Sequence, residues 1–441
     1  MPPKIPKPLA ERRPWLAVAQ AYGRAFWSGK RLPPGKLIDI GALEREHRTL
    51  LIDCAAQHGP VFKGLMERRL TVCVVGHALG RRLLKEHSGS LRAVAIRLEQ
   101  LFPHGFMRGM EGDTHRTYRK SLARGIASLD MASLTPAFES IVTAALEMHA
   151  ATRQQPTTPQ AWADTLGQIA NSTLITLFFG PQPGDAAHAR LLAAYLRLGP
   201  RGVVWNLTSQ QVDAYRALAD EVAALGVDAG GLLAHLYAQG TVDPTMLGNL
   251  VYMVELGRYD LRGLLRWISR YAADNNDWLD GVASDAATCA SGDSGGEAER
   301  SFVLEALRMD QSERLMREVL DDIVVDGWLI PSGALVRVCM WEAHKDPQKF
   351  PQPFTFDPVR FRGVDSEGEN FSPFGLDHHH CPLAGPVVEI AVIFLRVLAR
   401  KYAVDGRSAE PPVRGPYHWE PSPRFDVTLV PRAAGSRCPR Q

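Results

Sequence analysis

Cysteine is sparse in this 441-residue sequence, and none of the six (Cys54, Cys73, Cys289, Cys339, Cys381, Cys438) falls in a Cys-x-x-Cys spacing. That excludes a disulfide framework and a structural zinc site, and it fits a reducing, cytoplasmic setting. No run of about 18 apolar residues occurs, so no membrane-spanning helix is predicted. Met1–Pro14 mixes proline with Lys and Arg and has no apolar stretch. It is read as neither a signal peptide nor a membrane anchor. Charge of one sign is lacking as well: 50 Lys+Arg against 48 Asp+Glu leave a net +2, which implies no nucleic-acid partner. There is no internal repeat. A Gly-rich phosphate turn is also missing, so no flavin or nicotinamide site is expected. What remains is 45% hydrophobic and 22% charged residues, the make-up of a globular protein with ample core. Residues 1–50 read as a basic, Pro-rich segment and 51–441 as a single domain.

Periodicity sets the expected elements. His58–Phe62 and Leu70–Val75 read as a hairpin turning around Glu67–Arg69. Helical spacing follows over Ala78–Glu86. Ser88–Gly112 reads as a long, functional loop holding a short helix. Helices are then expected from Asp113, over Ser133–Thr152, Gln160–Gly180, Leu191–Leu198 and Ser209–Leu225. Pro244–Ala273 is an unusually long helical window, with proline near its start where it is tolerated. Ala283–Gly296 is rich in Ser, Gly, Ala and Asp and is expected to be a surface loop. After Phe302, Ile323–Pro331 and Ala334–Cys339 read as strands, and Tyr417–Pro431 as a closing hairpin. The expected class is mainly α with two small β-sheets.

The chemistry concentrates in Phe371–Gly385, Phe-Ser-Pro-Phe-Gly-Leu-Asp-His-His-His-Cys-Pro-Leu-Ala-Gly. Cys381 lies between a Pro-Phe-Gly loop and the apolar, helix-like run Val387–Leu398. A thiolate at a helix N-terminus gains from free N–H groups and the positive end of the dipole. That position suits a soft sulfur ligand for haem iron, where thiolate ligation favours O–O cleavage. A buried structural cysteine is the bland alternative.

The wider pattern resembles the cytochrome P-450 superfamily of haem-thiolate oxygenases, from about Pro60 to Pro431 and most densely from Glu305 to Gly385. Glu305-Ala-Leu-Arg308 resembles the family's Glu-x-x-Arg, whose i,i+3 side chains share a helix face and are joined by a later arginine, here Arg360. Arg317 stands where the family supplies a haem-propionate arginine, and Trp341–Pro347 resembles its Ala-x-x-Asp-Pro segment. Counted back from Cys381, Phe374 matches the aromatic that shields the sulfur. Gly375 matches the tight turn, and His379 the basic propionate partner. His115-Arg-Thr-Tyr-Arg119 resembles the His-x-x-x-Arg that also pairs with a propionate.

Three positions depart from the family's pattern. Asp377 and Leu383 replace loop glycines, and His378, His379 and His380 offer competing ligands. In the long helix the family carries a groove glycine followed by an acid and an alcohol that relay protons. This chain has Glu255-Leu-Gly257-Arg258-Tyr259-Asp260, with no Thr between Thr245 and the end of the helix. With Gly257 as the groove glycine, Tyr259 and Asp260 occupy the acid and alcohol positions, and Arg258 is a candidate anchor for a substrate carboxylate.

The resemblance implies haem b bound by Cys381, with His115, Arg119, Arg317 and His379 toward the propionates, and Asp260 or Tyr259 as proton route. Substrate contacts are expected from Ser88–Met110, Ala194–Leu207, Glu255–Asp260 and Met309–Leu315. It further implies oxidation of a hydrophobic or natural-product-type substrate with O2, using electrons from a ferredoxin- or flavodoxin-type donor. The alternatives are a peroxide-driven or non-oxidative haem-thiolate enzyme, and a non-catalytic binding member of the family.

Overall fold

The computed structural model describes residues 14–94, 98–110, 112–151, 159–199, 207–226, 229–288, 296–311, 314–363, 369–376, 380–407, 410–415 and 418–432. The chain forms two compact units.

The first unit, Met1–Ala95 with Ser312–Thr355 and Asp365–Cys381, is built on a sheet. It opens with helix α1 (Pro14–Trp27), followed by strands β1 (Val61–Met66) and β2 (Arg69–Val75). The hairpin expected here forms, with Glu67 and Arg68 both at positive φ (49° and 63°) in its two-residue turn. Helix α2 (His77–Glu86) and the short strand β3 (Leu91–Ala93) come next. Downstream, β4 (Arg314–Val319), β5 (Ile323–Val325), β6 (Trp328–Ile330) and β7 (Leu335–Cys339) complete the unit. The sheet order is β1-β2-β7-β4-β3, with β2 and β7 parallel and Thr71 opposite Leu335. Parallel central strands are buried on both faces, and β7 is buried at all its positions. The β-branched pairs Val72, Val74, Val336 and Val338 make the core, closed by Leu83 from α2 and Ala21 and Ala25 from α1. An Asp326-Gly327 turn, both residues at positive φ, joins β5 to β6 as a separate ribbon.

The second unit, Ile96–Gln311 with Phe356–Val364 and Pro382–Gln441, is almost all helix. Its helices are α3 (Gly112–Ala127), α4 (Met131–Ala151), α5 (Pro159–Phe179), α6 (Ala186–Arg197), α7 (Ser209–Ala223), α8 (Gly231–Ala238), α9 (Pro244–Asp274), α10 (Asn276–Thr288), α11 (Glu297–Ala306) and α12 (Ala384–Lys401). The long window predicted from Pro244 is α9, 31 residues, and its start is set by chemistry. The Asp243 carboxylate accepts from the Met246 N–H at 2.7 Å, and Pro244 occupies the first turn, where no N–H is needed. Thr208 and Gln211 form a reciprocal capping box at α7. The core of this unit is a set of buried aromatic and aliphatic side chains, among them Trp162, Phe178, Phe179, Tyr215 and Phe302.

Four expectations are corrected. Ala283–Gly296 is not loop throughout, because α10 runs to Thr288 on the strength of good helix formers such as Ala283, Ala286 and Ala287. Residues 289–295 lie outside the described residues. Tyr417–Pro431 does not close on itself as a hairpin. Strand β10 (Trp419–Glu420) pairs with β9 (Val413–Arg414), and β11 (Asp426–Pro431) pairs with β8 (Tyr402–Arg407), Pro431 opposite Tyr402. Pro421 and Pro423 supply no N–H to a ladder, so the chain leaves one ribbon before entering the other. The sheets are also more numerous than two, with one of five strands and three two-stranded ribbons among the described residues. Ser88–Gly112 carries two short 3-10 turns besides the one at its start, and β3, rather than one short helix.

Candidate functional site

In the first unit the cysteine loop is held by backbone bonds and one buried histidine. The Cys381 N–H donates to the Phe374 carbonyl at 2.9 Å, and Gly375 N–H to Ser372 at 3.3 Å. Gly375 sits at φ 90°, where an L side chain is strained. Phe374 therefore closes the turn that carries the thiol, and its ring lies edge-on to His380 at 6.4 Å. Upstream, the Ser372 N–H donates to Nε2 of buried His344 at 3.1 Å, and the His344 ring faces Phe371 at 5.4 Å. His77 stacks on His344 at 4.6 Å, and burial, with Arg81 nearby, lowers its pKa to about 4. Leu376 is buried against Gly80 and Val338, so the loop is fixed to the sheet core on its other side. Cys381 itself is half-buried and not in a disulfide. Arg317 is buried on β4 and donates to the Met316 carbonyl at 2.8 Å. His379, with Asp377 and His378, lies outside the described residues.

In the second unit His115 and Arg119 are half-buried on one face of α3, as their i,i+4 spacing requires. The Glu-x-x-Arg pair is fully buried. Arg308 grips Glu305 with Nε and Nη2, both at 2.7 Å. The same carboxylate accepts the Asp357 N–H at 2.9 Å and faces Arg360 at 3.5 Å. Two guanidinium groups thus share one carboxylate, as the motif's resemblance implies.

On α9, four candidate side chains part company. Arg258 donates to both oxygens of Glu255, at 2.7 and 3.0 Å, and to the Gly199 carbonyl just beyond α6 at 2.7 Å. Both partners are buried. The missing Cβ of Gly257 would face Leu174 of α5 at 3.4 Å. Tyr259 donates to Glu420 of β10, which also accepts from Arg266 at 3.0 Å. Burial and the Glu420 carboxylate push the Tyr259 phenol up, which keeps it protonated.

Asp260 is half-exposed, with its Oδ1 3.7 Å from Nε2 of His418. His418 is buried, and its Nδ1 lies 3.0 Å from the Trp419 carbonyl oxygen. A carbonyl only accepts, so Nδ1 carries a hydrogen. His344, His418 and Glu420 were missed by sequence reasoning. Nothing local marks them, since each acquires its partner from a segment more than 25 residues away.

The donor set fits a haem group. One half-buried thiol, in a loop shaped by Phe374 and Gly375, suits a metal that brings its other ligands with it. Among the described residues no three His, Cys, Asp or Glu side chains gather around a bare ion. Soft sulfur is a proper donor for iron in that setting.

A family model described as cytochrome P450 matches residues 300–385, which include Glu305, Arg308, Phe374 and Cys381. Among curated proteins, luvungin A synthase of Citrus sinensis is 35% identical over 103 residues, 23% of this chain and 22% of that one. Ent-kaurenoic acid oxidase 2 of Arabidopsis thaliana is 36% identical over 98 residues, 22% and 20% of the two chains. Cytochrome P450 88A1 of Zea mays matches over 330 residues at 26% identity, 64% of this chain and 60% of that one. The matched stretch thus spans about a fifth of the first of these relatives, 22% of its length. Among solved structures, a retinoic acid-bound cyanobacterial P450 superposes with a TM-score of 0.72 at 18% identity, over 91% of this chain and 100% of that one. A zebrafish cytochrome P450 with abiraterone gives 0.69 at 17%, over 87% and 99%. The fold is that of these solved P450 structures, and the motif-bearing stretch, residues 300–385, matches the cytochrome P450 family model.

Proposed function

We propose that this protein is a haem-thiolate monooxygenase that oxidises a hydrophobic or natural-product-type organic substrate, with Cys381 as the residue that would hold the iron of haem b. The observation that carries this reading is the loop in which the Cys381 N–H closes on the Phe374 carbonyl, inside the stretch that matches the family model. Haem, when bound, would supply the iron chemistry that activates dioxygen, with electrons drawn from a separate ferredoxin- or flavodoxin-type protein.

The chain's own residues do the rest. Phe374 would shield the sulfur from water, and His115, Arg119, Arg317 and His379 are the cations that would meet the propionates. Asp260 is the group that holds and passes a proton. Tyr259 is the poorer choice, because its hydroxyl is engaged by Glu420 and its pKa is raised. His418 lies beside Asp260, its Nε2 3.7 Å from Oδ1 of the carboxylate. Glu255 and Arg258 already satisfy each other and are assigned to structure rather than to the substrate.

The test is the absorption spectrum of the dithionite-reduced protein under carbon monoxide. A strongly red-shifted Soret band, lost in Cys381→Ser, is expected. A band of the histidine-ligated type in native protein, or purification without haem, would overturn the reading. Asp260→Asn is expected to keep that spectrum and to slow turnover about 100-fold, the scale of a lost general acid. Unchanged turnover would remove Asp260 from the route. Turnover with hydrogen peroxide alone, matching that with redox partners, would favour a peroxide-driven enzyme instead.

A further inference from the structure

We propose that His344 is a positioning residue for Cys381: its ring nitrogen grips the backbone amide from which the cysteine loop turns, a role that presupposes Cys381 as the ligand of the iron. The residue is placed by rigid structure. It follows the short helical turn Met340–Ala343 at the end of β7, and its own N–H is shared between the Met340 and Trp341 carbonyls at 3.2 and 3.1 Å. Its side chain is fully buried among rings, with His77 at 4.6 Å, Phe371 at 5.4 Å and Phe350 edge-on at 6.0 Å. Its Nε2 accepts the Ser372 N–H at 3.1 Å. Backbone amides only donate, so that nitrogen carries no hydrogen and the imidazole is neutral. His77, stacked on it, is held neutral as well, because burial and Arg81 lower its pKa to about 4. The two rings therefore meet without like charge.

The gripped amide is the point at which the loop needs a partner from outside. Ser372 is buried, so its N–H is cut off from water, and a buried amide left unpaired is costly. From that amide the bonds run in sequence to the thiol. The Ser372 carbonyl accepts the Gly375 N–H at 3.3 Å, and the Phe374 carbonyl accepts the Cys381 N–H at 2.9 Å. A shift of Ser372 is thus passed to the carbonyl that orients Cys381. Other anchors of this loop act to either side of the turn. Arg81 Nη2 donates to the Glu369 carbonyl at 3.2 Å ahead of it, and Leu376 packs into the sheet core beyond it. Neither fixes the first amide of the turn. The ring that does so stands 28 residues away in sequence, at the end of a fully buried strand. The position of the thiol therefore depends on β7 as well as on the loop itself. Outer partners of this kind orient a metal ligand, and their loss weakens the hold on the metal.

The experiment compares the wild-type holoprotein with H344F, H344Q and H344N. Phenylalanine keeps a ring against Phe350, Phe371 and His77 but has no acceptor. Glutamine carries an amide oxygen about as far out as Nε2, whereas the asparagine amide stops one bond short. Two quantities are read: amide hydrogen exchange over 369–376, and the lifetime in mild urea of the red-shifted, thiolate-type Soret band of the reduced carbon monoxide complex. H344F and H344N are expected to exchange amides over that stretch, and to lose that band, about tenfold faster than wild type, the scale of a lost outer partner of a metal ligand. H344Q is expected to restore both. If H344F does not fold, the glutamine and asparagine variants carry the same contrast. The proposal is overturned if H344F or H344N keeps the band as long as wild type does, whether or not exchange quickens, or if glutamine restores no more than asparagine. A histidine that only fills the core would give that last result, with band lifetime following melting temperature in all three variants. Wild-type protein that never shows the thiolate-type band would instead sink the haem-thiolate reading, and the positioning role with it.

Discussion

Glu305–Arg308 at the end of α11 and Glu255–Arg258 in the middle of α9 are the same motif in the same unit, and the protein uses them differently. Both pairs are buried, both are bidentate, and their shortest bonds are equal at 2.7 Å. They differ in the further element that each is seen to reach. Glu305 gathers donors: Arg308, Arg360 and the Asp357 N–H converge on one carboxylate. Its acid is the hub, and the later loop is tied to α11 through it. In the other pair the arginine is the hub. Arg258 holds Glu255 within its own helix and spends its remaining reach on the Gly199 carbonyl at the end of α6. A buried ion pair is rarely worth much by itself, because desolvation offsets the attraction. What each pair contributes is the third element that its surplus group captures.

The largest effect tests which partner is the hub. Glu305→Ala removes the acceptor shared by fully buried Arg308 and partly exposed Arg360 and is expected to destabilise the protein by about 5 kcal/mol, enough to prevent recovery of folded material. Glu255→Ala strands only one, and is expected to cost about 3 kcal/mol by urea unfolding. An equal or larger loss at Glu255 would break the comparison.

A smaller effect is expected when a pair is removed whole. Glu255→Leu with Arg258→Met replaces buried charge by apolar groups of similar size, and stability should stay within about 1 kcal/mol of wild type. Part of that residue comes from the Gly199 carbonyl, which loses its donor. The change should appear as faster amide exchange in the last turn of α6 and nowhere in α11. Exchange that quickens across the whole unit would mean that Glu255–Arg258 supports the core rather than one helix end.

The two pairs also mark how far the sequence could be read. Periodicity and caps give most of the longer helices, because Asp243-Pro244 or Thr208 with Gln211 act within one turn of where they stand. The cysteine loop was legible for the same reason, since Phe374, Gly375 and Cys381 act on one another locally. Glu-x-x-Arg is also local, yet its use is not. The i,i+3 spacing allows the bond, whereas burial and the third partner come from Arg360 or Gly199, tens of residues away. Tyr259 and Asp260 were likewise found as residues but not as partners, because Glu420 and His418 arrive on a ribbon whose pairing was misread. The described residues from Trp419 onward alternate well enough for a hairpin. Only the prolines at 421 and 423 hint that the ribbon ends there.

The smallest effect isolates Arg360, the donor that distinguishes the Glu305 cluster from the Glu255 pair. Its Nε approaches Glu305 at 3.5 Å and its side chain is partly exposed, against 2.7 Å and full burial for Arg308. Distance and solvent both weaken such a contact, so Arg360→Met is expected to cost only about 1 kcal/mol. Its methylene stem is replaced by one of similar length, so packing is largely kept. A double-mutant cycle with Glu305→Gln then asks whether the arginine acts through the carboxylate. Coupling of about 0.5–1 kcal/mol is expected for residues in one network. A cycle that closes to zero would mean Arg360 stabilises its loop by packing alone. The carboxylate would then serve one arginine and the Asp357 N–H, and the contrast with Glu255 would shrink to a choice between a backbone donor and a backbone acceptor.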